Sequence, residues 1–132
     1  MTRSTWIAVL WTILILVLCW MPRHSLPMDE GGPSLLNRLH FDKVVHLGIF
    51  AVFAFLWRRA FSRRAVVVIV VAGLFLAVIT ELGQATSIVG RDADVWDAVA
   101  DAIGVVVGAA FAEFLANWLA RRVQPGAVAP RI

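Results

Sequence analysis

The sequence predicts an all-α membrane protein in which four transmembrane helices form an antiparallel bundle with both termini in the cytoplasm. Hydrophobic residues make up 61% of the 132 residues and charged residues only 16%, whereas soluble domains are roughly half apolar and a quarter charged. Four long apolar segments alternate with polar connections, and the basic residues lie mostly on one side of these segments. A chain of this length is expected to form a single domain.

Each apolar segment is a candidate membrane span, because about 20 residues at a rise of roughly 1.5 Å per residue cross the bilayer core. The third and fourth are long enough by themselves, the first is long enough with its flanks, and the second has to extend outwards through Asp42 and Lys43. We predict one four-helix domain over residues 1–122 and a flexible tail over 123–132. The predicted spans are residues 5–21, 43–57, 65–84 and 95–120.

The first segment also has the charge order of a signal peptide, since Arg3 precedes an apolar run. Signal cleavage needs small residues directly after such a run, but this one ends in Cys19, Trp20 and Met21. Leu18 is too bulky for a lipoprotein cleavage site. We therefore expect an uncleaved helix. Because Cys19 is the only cysteine, neither an internal disulfide nor a multi-cysteine metal site can form.

The distribution of Lys and Arg predicts the orientation, because cytoplasmic loops carry an excess of these residues. Eight of the 12 basic residues lie at the termini or in the turn between the second and third spans, and eight of the nine acidic residues lie on the opposite side. The termini are therefore predicted inside, and the loops near residues 22–42 and 85–94 outside. The remaining acid, Glu113, is expected to pair with Arg58 or Arg59, or to face another subunit.

The basic balance does not predict a nucleic-acid partner. The formal charge is +3, but the basic residues come in short clusters beside apolar runs, where they contact lipid headgroups. The expected partner is the lipid bilayer. In the outer loop, the stretch from Pro33 to Phe41 suits either a short interfacial helix or a plain connector.

Two helix faces carry small or polar residues, which permit close approach of another helix. We expect these faces to pack against each other, although helix packing alone would account for the glycines. The face on the fourth segment comprises Asp97, Asp101, Gly104 and Gly108, and that on the third comprises Gly73, Ala77, Thr80 and Gln84.

Ionisable and amide side chains near the outer ends of the spans are the candidate site, because such groups are costly in a membrane unless they face a cavity or a partner. Counted from the cytoplasmic arginines, Glu81 lies about 26 Å and Asp101 about 30 Å along its helix, but His46 only about 18 Å. This predicts an outward funnel with His46 near its floor. Asp92 and Asp94 are interpreted as helix-start residues. The candidates are Asp42, Lys43, His46, Glu81, Gln84, Arg91, Asp97 and Asp101.

Their chemistry suggests roles. Asp42 lies one turn before His46 and could orient the imidazole as a base, with Glu81 as an acid. Lys43 and Arg91 could hold an anionic group. No cofactor is predicted. A divalent cation is left open, for which an oxygen-rich, calcium-like site fits slightly better than zinc, because the single histidine lacks the usual zinc spacing.

Taken in order, these positions resemble the VanZ-like membrane protein family. The resemblance runs from Phe41 to Gly108 and includes Asp42-Lys43-Val44-Val45-His46, Thr80-Glu81-Leu82-Gly83-Gln84, Arg91, Asp97, Asp101, Gly104 and Gly108. In the family pattern the position of Asp101 is more often Asn. The resemblance implies a small multi-pass protein of the bacterial cytoplasmic membrane, in a family named for a glycopeptide-resistance component associated with reduced teicoplanin susceptibility.

Three functions remain open at this level. The first is binding of a lipid-linked cell-wall precursor or phospholipid headgroup at the outer site, which would alter glycopeptide susceptibility. The second is a membrane-embedded hydrolase or transferase that uses His46 with Asp42, Glu81 or Asp101. In the third, the polar residues serve only as a structural scaffold. Ser87 lacks the Gly-x-Ser-x-Gly context of a serine hydrolase.

Overall fold

The computed structural model describes residues 2–21, 35–86 and 94–123. This part of the chain is helical and contains no strand, so the predicted all-α class is confirmed. A short 3-10 turn, Arg63–Ala65, joins the second and third helices. The α-helices are α1 (Arg3–Cys19), α2 (Leu35–Ala60), α3 (Val66–Gln84) and α4 (Val95–Val123).

Two helix boundaries differ from the sequence-based prediction. Helix α2 begins at Leu35, so the stretch before Phe41 is the first part of a continuous helix and not a separate interfacial segment. The reason is that no proline or glycine interrupts the chain between Pro33 and Gly48. Helix α4 continues to Val123, and the rest of the predicted tail, 124–132, lies outside the described residues.

Two tryptophan indoles fasten α1 to α2. The indole N–H of Trp11 donates to the carbonyl oxygen of Ile49 at 2.9 Å, and that of Trp57 donates to the Thr12 hydroxyl at 3.0 Å. Each indole thereby satisfies its polar atom within a largely apolar contact, as buried tryptophans usually do. Helix α1 is therefore held to the bundle by directional bonds as well as by packing.

Helices α2 and α4 form the most extensive helix contact, and they run in the same direction. The residue number of the α4 partner increases with that of the α2 partner, and the contacting residues are always 54 to 56 positions apart in sequence. Consecutive helices in the predicted bundle are antiparallel, but its main interface joins a parallel pair. The contacts are Lys43 with Asp97, His46 with Asp101, Phe55 with Phe111, and Arg58 with Glu113.

Glycines on α4 allow this close contact. A Cβ atom at Gly104 would collide with the backbone of Leu47, and one at Gly108 would collide with the backbone of Ala51. The expectation that this face packs against the small-residue face of α3 is therefore wrong for its glycines, which face α2. The α3 face is nevertheless buried, with Gly73 against the side chains of Val105 and Phe53.

An ion pair with the buried Arg58 accounts for Glu113. The Arg58 guanidinium donates through Nε to a Glu113 carboxylate oxygen, and Arg63 lies 3.5 Å from the other oxygen. Arg58 is only 7% exposed, and its Nη1 also donates to the carbonyl oxygen of Phe61 at 3.0 Å. The predicted pairing of Glu113 with Arg58 is confirmed, and it ties the C-terminal halves of α2 and α4 together.

The outside of the bundle is predominantly apolar. Large side chains such as Leu10, Phe75 and Phe114 are more than half exposed, and contiguous apolar surface of this kind is rare on soluble monomers. By length and composition, the segments Arg63–Gln84 and Val95–Arg122 are suited to cross a membrane. Helix α1 is a shorter apolar helix, and α2 carries charged residues at both ends.

The close contact at the α4 glycines predicts how glycine substitutions change the free energy of unfolding. Gly108→Ala is expected to lower the free energy of unfolding by about 1–3 kcal/mol, because its methyl group would overpack against the backbone of Ala51. Gly48→Ala is the matched control, since its Cβ would meet nothing within 4 Å, and it should be neutral or stabilise α2 by roughly 0.5–1 kcal/mol. Thermal unfolding of the purified protein in micelles measures both. Equal stabilities of the two variants would contradict the packing.

Candidate functional site

Three helices bring polar side chains together at the end of the bundle where α4 begins. Helix α2 supplies one residue, the last turn of α3 supplies two, and the first two turns of α4 supply two more. All five residues are at least nine-tenths buried. We call this set the polar cluster: His46, Glu81, Gln84, Asp97 and Asp101.

The centre of the polar cluster is a contact between α2 and α4. His46 Nδ1 lies 3.0 Å from Asp101 Oδ1, and the two residues are 3% and 0% exposed. His46 is therefore level with Asp101, and its predicted position at the floor of a funnel is wrong. The depth estimate failed because it was counted from Arg58 for His46 but from Arg121 for Asp101, and Arg58 lies level with Glu113, eight residues before Arg121.

Asp42 was expected to orient the imidazole, but Asp101 makes the described hydrogen bond to the ring. Residues one turn apart on a helix are neighbours, whereas Asp101 reaches the ring directly across the interface between two helices. Asp42 still lies close by, because one oxygen each from Asp42 and Asp97 and one ring nitrogen of His46 lie within 4.8 Å of one another.

Lys43 is bound to two carboxylates at the edge of the polar cluster. Its ammonium donates to Asp94 Oδ2 at 2.6 Å and to Asp97 Oδ1 at 2.8 Å. The hydrogen bond from Lys43 holds the pKa of Asp94 below its usual value of 3.8, and a hydrogen bond from the Trp96 amide adds to this. The charge of Lys43 is thus already compensated, which weakens its expected role in holding an anion.

Asp94 makes contacts to two other helices in addition to the helix-start role that the sequence indicated. As predicted, it caps α4, because its Oδ1 accepts the backbone N–H of Trp96 at 2.9 Å. Its own backbone N–H also donates to Glu81 Oε2 at 3.1 Å. Asp94 therefore links α4 to α2 and α3, a role that no local pattern marks because both partners are remote in sequence.

Three buried polar atoms of the polar cluster have no hydrogen-bond partner among the described residues. They are Glu81 Oε1, Gln84 Nε2 and Asp101 Oδ2. A buried unpartnered polar atom typically costs about 1–3 kcal/mol, so three at one place point to a function that offsets the cost. In contrast, Thr80 is fully buried but satisfied, since its hydroxyl donates to the carbonyl oxygen of Ala77 at 2.8 Å.

The cluster also has the geometry of a ligand site. One oxygen each from Glu81 and Asp101 and one ring nitrogen of His46 lie within 4.8 Å of one another, forming a triplet that shares His46 with the triplet of Asp42 and Asp97. Seven of the eight sequence-predicted site residues thus lie in or beside one cluster. The eighth, Arg91, falls outside the described residues, as does Asp92.

The fold and this cluster define a class: a small helical bundle with an apolar exterior and a buried, mainly acidic site at one end. The chain belongs to the VanZ/LLP1 family, whose family model matches residues 4–116. The match covers all four helices except Arg3 at the start of α1 and the last seven residues of α4, so the resemblance seen in the polar motifs extends through the bundle. No curated protein and no solved structure matches the chain.

The His46–Asp101 contact can be measured by a double-mutant cycle with His46→Ala, Asp101→Ala and the double variant. We expect a coupling free energy of about 1–3 kcal/mol, because the pair is buried and hydrogen-bonded. The control cycle combines His46→Ala with Glu113→Ala. Asp101, which lies beside His46, is about 18 Å from Glu113 along α4, so the effects of the two control substitutions on stability should add within about 0.5 kcal/mol. Additivity in the His46–Asp101 cycle would show that the contact contributes nothing.

Proposed function

We propose that this protein is a four-span protein of the bacterial cytoplasmic membrane, with both termini inside, whose polar cluster binds the headgroup of an envelope lipid. The headgroup belongs to a lipid-linked cell-wall precursor or a phospholipid. The excess of basic residues at the termini and in the turn after α2 supports this orientation. It places the polar cluster near the outer face of the membrane.

The observation that carries the proposal is the group of unpartnered buried atoms on Glu81, Gln84 and Asp101. Two are carboxylate oxygens that accept hydrogen bonds and one is an amide nitrogen that donates. Together they suit a headgroup with hydroxyl or ammonium groups, such as a sugar or an amine. Arg91 would contact a headgroup phosphate. This role rests on the sequence pattern alone, whereas Lys43 is held by Asp94 and Asp97.

Occupation of such a site would change how envelope components are presented at the outer surface. Glycopeptide antibiotics act at that surface, and the theme of teicoplanin susceptibility comes from the family resemblance. We therefore propose that headgroup binding alters teicoplanin susceptibility in cells that express this protein. Substitutions in the polar cluster would then change teicoplanin susceptibility without changing the amount of folded protein. If the cluster had a purely structural role, susceptibility would change only when the amount of folded protein changed.

A second candidate is a hydrolase or transferase acting on the same headgroup. The buried His46–Asp101 contact favours it, because a carboxylate that accepts from Nδ1–H leaves Nε2 free as a general base. Asp101 then takes the orienting role first assigned to Asp42, and Glu81 supplies the acid. The two candidates differ in outcome: binding leaves the lipid intact, and the enzyme releases a product.

The orientation is tested with single cysteines added to the wild-type chain. A membrane-impermeant maleimide should label the Thr86→Cys variant in intact cells, because the exposed residue 86 follows α3 on the proposed outer side. It should label the matched Ser62→Cys variant only after permeabilisation, because residue 62 lies in the inner turn. The unmodified chain is the control, since Cys19 is 3% exposed. The reverse pattern would overturn the proposed topology.

Headgroup binding is tested by extracting lipids from the full-length protein purified out of bacterial membranes. We expect one lipid class to be enriched over the bulk membrane and the enrichment to fall at least about tenfold in Glu81→Gln and Asp101→Asn, because each loses a charge-assisted contact. Glu113→Gln is the matched control, because it removes a carboxylate from the other end of the bundle.

A wild-type lipid profile identical to that of the bulk membrane would overturn headgroup binding. A lipid cleavage or transfer product that accumulates with the wild-type protein and disappears in His46→Gln would favour the enzyme. Recovery of the same intact, enriched lipid with the wild-type protein and with His46→Gln would favour binding.

A further inference from the structure

Several features of the polar cluster point to an ionic ligand. The carboxylates of Glu81 and Asp101 are buried, and no Lys or Arg side chain ion-pairs with either of them in the described part of the chain. The ammonium group of Lys43 is bonded to Asp94 and Asp97. Negative charge concentrated in a buried place is unfavourable unless a cation compensates it.

At the other end of the α2–α4 interface, the acidic residue is paired with basic side chains. There the Glu113 carboxylate is matched by two guanidinium groups, from Arg58 and Arg63. At the polar cluster, the unpartnered oxygens Glu81 Oε1 and Asp101 Oδ2 have no such match. The partly exposed Glu113 is thus paired with guanidinium groups, whereas the buried Glu81 and Asp101 each keep one oxygen without a partner in the described part of the chain.

We propose that His46, Glu81 and Asp101 form a binding site for a divalent transition-metal cation, Zn²⁺ or Mn²⁺. The three ligand atoms lie within 4.8 Å of one another. Ligands about 2.0–2.2 Å from a shared ion are separated by at most about 4.4 Å, so small side-chain rotations close the site. His46 Nδ1 and Asp101 Oδ1 are 3.0 Å apart, which is the spacing of two adjacent ligands, and an ion bound by both atoms would take the place of the proton between them, which is released.

The donor set selects the kind of cation. One imidazole nitrogen with two carboxylates is a mixed nitrogen and oxygen set, which suits Zn²⁺ or Mn²⁺, whereas Ca²⁺ and Mg²⁺ prefer oxygen alone. The buried histidine therefore shifts the preference away from the calcium-like site that the sequence favoured. Asp42 and Asp97, which share His46 in the second triplet, would hold outer ligands or bound water in place.

A bound cation would also give the cluster a positive centre for a headgroup phosphate. Lys43 cannot supply that centre, because two carboxylates already hold it. In this arrangement the ion bridges the protein carboxylates and the phosphate oxygens. This bridging role rests on the proposed headgroup binding, whereas the ion site itself does not.

Metal titration of the full-length protein in metal-free detergent solution tests the ion site without lipid. Isothermal calorimetry and metal analysis after dialysis should give one Zn²⁺ or Mn²⁺ per chain, and Ca²⁺ should not compete. Glu81→Gln and Asp101→Asn should each weaken binding by more than about tenfold, since even outer-shell changes produce losses of that size. The matched control Glu113→Gln should bind as the wild type does.

Wild-type protein that binds no ion while folded would overturn the site, and this measurement needs no variant. Unchanged affinity in Glu81→Gln, or tighter binding of Ca²⁺ than of Zn²⁺ and Mn²⁺, would also overturn it. The ion should raise the unfolding temperature of the wild type and of Glu113→Gln but not of Asp101→Asn, and the same scans verify that each variant is folded.

Lipid retention measured with and without a chelator separates the two proposals. Loss of the enriched lipid on chelation supports bridging, and retention of the lipid overturns bridging. A protein that binds lipid but no ion refutes the cation site and leaves the proposed function standing. A protein that binds the ion but enriches no lipid refutes headgroup binding and leaves the cation site standing.

Discussion

The close backbone contact between α2 and α4 is the constraint on which the rest of the structure depends. Gly104 and Gly108 let α4 approach the carbonyl groups of Leu47 and Ala51, and this approach fixes one register for two parallel helices. Within a membrane, helix association relies on such packing and on hydrogen bonds, because lipid is as apolar as the helix surfaces. The register then decides which side chains meet on either side of the glycines.

Polar contacts lock that register at both ends. On one side of the glycine contact, Arg58 meets Glu113; on the other, His46 meets Asp101. These pairs are both 55 residues apart in sequence, so a slip of one residue would break both together. Buried polar pairs often specify an arrangement more than they stabilise it. Here they add specificity to an interface whose packing is otherwise made by small residues.

The two ends differ in a way that bears on function. Glu113 is matched by guanidinium groups, and this end has the character of a structural clamp. The polar cluster combines a histidine with two carboxylates, Glu81 and Asp101, each of which has one buried oxygen without a hydrogen-bond partner in the described part of the chain. The cost of burying such atoms is consistent with a site held ready for a ligand, because binding recovers the interactions that folding leaves unmade. Lys43 and Asp94 support this site from its edge by linking α2, α3 and α4.

The sequence by itself determined the helical class, the four apolar segments and all five members of the polar cluster. Helix periodicity and the cost of ionisable groups in lipid are local properties that can be read residue by residue. The tertiary structure alone decided that Asp101 bonds to His46 across the interface between two helices, that Asp94 lies at the edge of the cluster, and that the α4 glycines face α2. In an apolar chain the lipid-facing and packed faces of a helix are similar in hydrophobicity, so the pattern does not reveal which helix each face meets. Only the register of α2 against α4 supplies that information.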